Sequence, residues 1–215
     1  MNNTNYTTLL NTLKNTSIKL VVVSKYRSVE QIQPLYNLGQ RLFGESRVQE
    51  LQDKQPQLPN DIKWHFIGHL QTNKVKYIAE SIDLIHSGDS LKLLNTINKE
   101  GEKIDRKIPV LLQFKIAQED SKYGLTQQDL NDFDPANFPF TLFKGVMGMA
   151  TYTDDEAQVT KEFTKLHTIF TNLKDTIFTD YSHFSEISMG MSGDYPLAIA
   201  AGSTMLRVGS LVFED

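Results

Sequence analysis

Apolar side chains recur at Tyr6, Leu9, Leu10 and Leu13, a spacing of three and four that predicts an amphipathic helix over residues 5–16. The period then changes. Residues 18–24, IKLVVVS, are nearly all apolar and rich in β-branched side chains, the pattern of a strand covered on both faces. Ser28 and Gln31 have the spacing of a capping box, opening a helix that Gly39 can end. Short apolar runs and amphipathic segments go on alternating. Strands are predicted at 41–43, 62–67, 83–86, 108–114, 143–147, 186–189 and 205–208. Helices are predicted over 47–54, 73–80, 91–99 (closed by Gly101), 126–133, 154–173 and 195–201. Eight strands separated by helices predict an α/β fold. It is either a closed (β/α)8 TIM barrel or an open doubly wound sheet, and strand counting leaves both standing. Little chain follows strand eight, whereas a helix precedes strand one; that extra N-terminal helix is expected to cover the strand left bare. The polar loop at 52–61 and the Pro-punctuated segment at 132–140 are not linkers, so 1–215 reads as one domain.

Composition narrows the class. With 40% hydrophobic and 22% charged residues among 215, the chain can bury one sizeable core. It holds no cysteine, which removes disulfides, thiolate nucleophiles, iron–sulfur clusters and thiolate zinc sites. Its 22 basic and 26 acidic residues leave a net charge of −4, so no general field draws it to nucleic acid or an anionic bilayer. The first twenty residues lack the features of a signal peptide, and no apolar run approaches ~18 residues, so a cytoplasmic protein without a membrane span is expected.

In a barrel, chemistry gathers at the C-terminal ends of the strands. Lys25 follows VVVS at the end of strand one, where a partly desolvated amine becomes nucleophilic toward an aldehyde. A lysine that merely reaches into solvent is the plain alternative. After strands seven and eight, SMGMSGD (188–194) and AGSTMLRVGS (201–210) supply small residues, free backbone N–H groups and hydroxyls where barrels bind phosphate. Ser192 and Gly193 also precede a predicted helix, and both loops flank Arg207. Tight turns alone would need the same residue types. An amine on one side and an anion site on the other suggest a phosphate-bearing aldehyde, for which pyridoxal 5′-phosphate is the obvious candidate.

The motifs point the same way. VVVSKYRSVEQI around Lys25, GQRLFGESRVQEL (39–51), WHFIGHLQTNK (64–74), IHSGDS (85–90), EDSKYGL (119–125), ISMGMSGDYPLAI (187–199) and GSTMLRVGSLVF (202–213) closely resemble the pyridoxal phosphate homeostasis protein family, in the same order over essentially the whole chain. The resemblance implies a single-domain barrel, similar to the N-terminal domain of bacterial alanine racemase, that holds the cofactor through an internal aldimine at Lys25. It implies that Arg207 meets the pyridine nitrogen, and that Ser192, Gly209 and Ser210 receive the phosphate. An arginine keeps its proton, leaving the ring nitrogen unprotonated and weakening the electron sink that pyridoxal enzymes use. The implied role is therefore to carry or buffer the cofactor in intracellular vitamin B6 homeostasis, with apo-enzymes as recipients and no catalytic residue. Three departures stand out. FGES puts Ser46 where the family usually has an asparagine beside the ring, Tyr26 replaces the usual threonine after the lysine, and the chain ends in LVFED without the family's glycine-containing tail.

Other residues invite plainer readings. His65 and His69 have a helical zinc spacing but fall on a strand and its turn, so no metal site is expected. His86 is expected either to line the mouth or to cap the next turn. His167 and His183 fall away from the mouth. Lys74, Lys76, Lys115 and Lys122 read as solvated surface charge, with Lys122 the candidate for a second, transient cofactor site. Met147, Met149, Met189, Met191 and Met205 are expected as core filler, with a thioether pocket wall as the alternative. No G-x-G-x-x-G, P-loop or G-x-S-x-G pattern occurs. The enzymatic rival is a weak amino-acid racemase, which needs a second acid/base on the opposite face of the substrate. In the racemase that group comes from an additional domain, for which this chain is too short. A Schiff-base aldolase acting on sugar phosphates is the third reading. A monomer is expected.

Overall fold

The β-branched runs form eight parallel strands: β1 (Lys19–Val23), β2 (Leu42–Glu45), β3 (Lys63–Phe66), β4 (Leu84–Gly88), β5 (Ile108–Gln113), β6 (Thr141–Met147), β7 (Glu186–Ser188) and β8 (Met205–Val208). In the computed structural model, which describes residues 2–118 and 123–214, they close into a barrel in chain order, β1 pairing with both β2 and β8. The open sheet is excluded. Outside lie α1 (Asn3–Leu13), α2 (Val29–Asn37), α3 (Val48–Lys54), α4 (Leu91–Lys103), α5 (Glu156–Thr176), α6 (Tyr195–Ala200) and α7 (Ser210–Phe213). None among the described residues is long and apolar enough to cross a membrane.

Two apolar layers explain the continuous hydrophobic runs. The larger lies between strands and helices; the smaller, Val21, Leu84, Leu111, Met147 and Met205, fills the barrel interior. The extra helix behaves as expected of a cover. Its Tyr6, Leu9 and Leu13 are buried, and Tyr6 Oη donates to Gln40 Oε1 at 3.1 Å, while Gln40 Nε2 donates to Leu20 O at 2.9 Å and Leu42 O at 2.6 Å. At its start Asn2 N–H donates to Val212 O at 2.8 Å, so α1 bridges β1, β2 and α7. Ser28 N–H donates to Gln31 Oε1 at 3.0 Å, and Gly39 follows α2 with φ +97°.

Local signals failed at three places. The segments 73–80 and 126–133 contain only short 3-10 turns, Thr72–Tyr77 and Gln128–Leu130. Val75, Ile78 and Ala79 are buried in the first and Leu130 in the second, too little apolar surface to offset nucleation of a full helix. Gly101 does not close α4, which runs on to Lys103. Its missing side chain serves packing instead: a Cβ there would lie 2.6 Å from Arg106 O and 2.8 Å from Phe140 O, both backbone atoms.

Gly101→Ala separates the two roles. Helix preference alone would stabilise the variant by about 1 kcal/mol. The backbone collision instead predicts a net loss of about 1–3 kcal/mol, read as a lower urea midpoint at unchanged slope. A raised midpoint would show that the approach of 106 and 140 is not tight.

Candidate functional site

Strand parity builds the site. Val21 and Met205 face the barrel interior, and side chains alternate along a strand, so Val23 and Lys25 continue the inward row of β1 while Arg207 and Gly209 continue that of β8. On β2 the same row runs through Leu42 and Gly44, whose Cβ would meet the side chains of Val21 and Ile67, to Ser46. These rows emerge at the C-terminal mouth, in a cavity of about 790 Å³. All six residues singled out from the sequence, Lys25, Ser46, Ser192, Arg207, Gly209 and Ser210, line it.

Arg207 forms the floor and is 4% exposed. Its Nη1 donates to Ser188 Oγ at 2.7 Å and its Nη2 to Gly148 O at 3.1 Å. Ser188 Oγ lies 3.0 Å from His86 Nδ1, and His86 Nε2 lies 3.0 Å from His65 Nδ1; a serine proton given to His86 and an Nε2–H given to His65 satisfy both contacts. Burial pushes Arg207 down to about 10, opposed by the charge of Asp194, and leaves it protonated at neutral pH. Burial also holds both imidazoles neutral, His65 falling to about 3 with help from Lys19, and His86 well below its ordinary value with help from His65 and Arg207. His86 thus neither lines the mouth nor caps a turn. It lies fully buried within β4 as the second link of a polar file under the arginine.

The anion end is built from β8 and the loop after β7. Gly209 N–H and Leu211 N–H converge on Ser192 Oγ at 3.4 and 3.3 Å, long bonds that an anionic oxygen can replace. Gly209 lets β8 close on β1: a Cβ there would sit 3.1 Å from Val23 Cβ and 3.2 Å from Val23 O. Ser210 is exposed at the start of α7. Across the cavity Lys25 is exposed, and Tyr26 beside it has φ +62°, a left-handed conformation costing a side-chain-bearing residue about 1–2 kcal/mol.

The rim holds residues that the sequence did not assign to the site. His69 Nδ1 lies 2.7 Å from Asp89 Oδ2, and its ring stacks on Tyr123 at 4.2 Å and 17°. Gln113 Nε2 donates to Tyr123 O at 2.9 Å. Parity was the available signal: His65, Ile67 and His69 share one side of β3 and its extension, and Gln113 follows Leu111 on β5. The rings of His65 and His69 serve different partners, and among the described residues no His/Asp/Glu group is placed to hold a metal. Met147, Met189 and Met205 are core, whereas Met149 and Met191 line the cavity, so both readings of the methionines hold in part. Lys74 and Lys76 lie over the Tyr77 ring. Lys122 and the start of EDSKYGL lie outside the described residues.

Comparison with known proteins finds the same fold in characterised relatives. Residues 3–215 match the family model of the alanine racemase N-terminal domain. A pyridoxal phosphate homeostasis protein of Helicobacter pylori (strain J99) is 38% identical over 203 residues, covering 92% of this chain and 88% of its own. One from Pasteurella multocida is 36% identical over 204 residues, covering 92% and 86%. The structure of PipY of Synechococcus elongatus with pyridoxal phosphate bound has a TM-score of 0.87 at 32% identity, covering 98% of each chain. Alanine racemase of Bartonella henselae, 16% identical with a TM-score of 0.74 over 98% of this chain and 57% of its own, shares the fold.

The buried imidazoles give stability a defined pH dependence. Their folded pKa values lie below the unfolded value, so their contribution is complete above about pH 6.5 and is lost as pH falls, because only the unfolded chain takes up the protons. Between pH 6 and 5 each ring is expected to remove on the order of 1 kcal/mol of unfolding free energy per pH unit. His86→Asn should flatten that slope relative to wild type in urea titrations; equal slopes would contradict the neutral, buried assignment.

Proposed function

The chain belongs to the pyridoxal phosphate homeostasis protein family, and we propose that it binds pyridoxal 5′-phosphate in the mouth cavity and carries or buffers it, without strong catalysis of its own. The observation that carries this reading is the convergence of three chemistries on one cavity: a lysine amine, a buried guanidinium, and two backbone N–H groups beside two serine hydroxyls. These residues fit the cofactor's aldehyde, ring nitrogen and phosphate respectively. The weak bonds to Ser192 Oγ support the last assignment, because amides already satisfied at short range would not readily accept an anion.

Pyridoxal phosphate, when bound, supplies an aldehyde that a primary amine captures with loss of water and releases on its return. The protein's part is to present and to hold. Lys25 Nζ provides the amine from an exposed strand end, within reach of a competing amine on a recipient apo-enzyme. Arg207 would meet the ring nitrogen as a donor that keeps its proton, because at about 10 its pKa stays well above neutrality despite burial. A nitrogen held this way withdraws few electrons from the rest of the ring, which favours storage over carbanion chemistry. Gly209, Ser210 and Ser192, which line the cavity, would hold the phosphate through N–H and O–H donors, and Ser46 on the β2 row would border the ring.

The visible spectrum with added pyridoxal phosphate is the first test. A protein-bound band, converted by borohydride into a stable adduct mapped to Lys25 and missing in Lys25→Ala, is expected; a featureless wild-type spectrum would remove the reading and return the aldolase to first place. Ser192→Ala should weaken binding by about tenfold or more, the scale of one hydrogen bond to a charged group. Alanine racemisation by the loaded wild-type protein should be absent or very slow, and robust turnover would refute the carrier role.

A further inference from the structure

Beneath the Lys25 segment, outside the cavity lining, lies a buried cation. Lys54, the last residue of α3, is 7% exposed. Its Nζ donates to Ser24 O at 2.9 Å, Glu45 Oε1 at 2.7 Å and Glu50 Oε2 at 3.0 Å, three acceptors for an ammonium's three protons. Two of these contacts act on the chain around Lys25. Ser24 O belongs to the peptide unit just before Lys25, and Glu50 Oε2 also accepts from Tyr26 N–H at 2.8 Å, in the unit just after it. Ser24 Oγ adds a bond to Glu45 Oε1 at 2.7 Å. Tyr26 is thereby kept in its left-handed conformation, with the Arg47 guanidinium 4.8 Å from the centre of its ring.

Stability is a weak account of this cluster. Buried ion pairs often stabilise no better than apolar residues of the same volume, because desolvation offsets attraction. Here Glu45 is wholly buried, burial raises its pKa, and its Oε2 has no hydrogen-bond partner among the described residues. What the cluster does secure is geometry. Lys25 sits in the turn just past β1, between buried Ser24 and the strained Tyr26, and without fastening on both sides Tyr26 would relax and swing the amine.

We propose that Lys54, through Glu45 and Glu50, is a positioning residue for Lys25, holding both flanking peptide units so that the amine enters the cavity already oriented. The inference rests on the reading of Lys25 as the cofactor-capturing amine. It predicts that Lys54→Met, folded by circular dichroism, captures pyridoxal phosphate at least tenfold more slowly and weakly, with borohydride labelling of Lys25 reduced in proportion. Inorganic phosphate, as a competing probe of the anion end, should bind the variant as it binds wild type, and Lys54→Arg should restore part of the capture rate. Unchanged capture by folded Lys54→Met would overturn the proposal, as would a parallel loss of phosphate affinity, which would mean general distortion of the mouth. If Lys54→Met does not fold, Glu50→Gln decides: slower capture with intact phosphate binding supports the role, and wild-type capture overturns it. Failure of the wild-type protein to capture at Lys25 would show before any variant was made and would remove the functional reading together with this one.

Discussion

The pairing of β1 with β8 sets Val21 opposite Arg207 and Val22 opposite Val208, and the mouth of the barrel depends on it. In an open sheet these would be distant edges, and the amine of Lys25 would never share a cavity with the guanidinium of Arg207. Closure brings the two ends of the chain together, and strand alternation aims the right residues inward. Gly209 follows from the same constraint: its bare backbone lets the end of β8 lie against Val23. The α1 helix supports the seam from outside, tying β1, β2 and α7 through Tyr6, Gln40 and Asn2.

Closure also forces polar groups into the interior, where each must find a partner. Ser188, His86 and His65 form a file below Arg207, and the buried Glu186 accepts at Oε2 from Thr204 Oγ1 at 2.8 Å and pairs with the half-exposed Lys19. Ser188 Oγ accepts from Arg207 and can give its own proton to His86, an arrangement in which each link of the file pairs one donor with one acceptor. Arg207 is therefore held rigidly from underneath, by neutral groups that add no charge to the floor.

Much of this was legible in the sequence because strand burial and strand-end chemistry are local properties. The run LVVV, the lysine after it, and the Gly/Ser-rich loops around Arg207 needed no partner to be recognised. What was hidden is what partners decide. His86 read as a mouth or cap residue because a strand's length does not say how deep its histidine sits. Gly101 read as a helix stop because the sequence does not show Arg106 and Phe140 approaching it. Nothing local marks Lys54, since its burial arises only where α3 packs on the ends of β1 and β2. The helices predicted over 73–80 and 126–133 failed likewise, their apolar residues being too few once the packing was complete.

The two sides of the cavity are held in different ways, and that difference bears on what the site can do. Arg207 is buried and held from below by two hydrogen bonds that leave other N–H donors for the cavity, and the amides beside it present further donors, so a phosphorylated ring would gain affinity from groups already in place. Lys25 faces solvent at the rim, its backbone clamped but its amine accessible. A catalyst needs the reacting bond sheltered from water and a proton donor or acceptor at the reacting carbon. A carrier needs tight non-covalent grip with an exchangeable covalent link, and a rigid floor beneath an open amine supplies that combination.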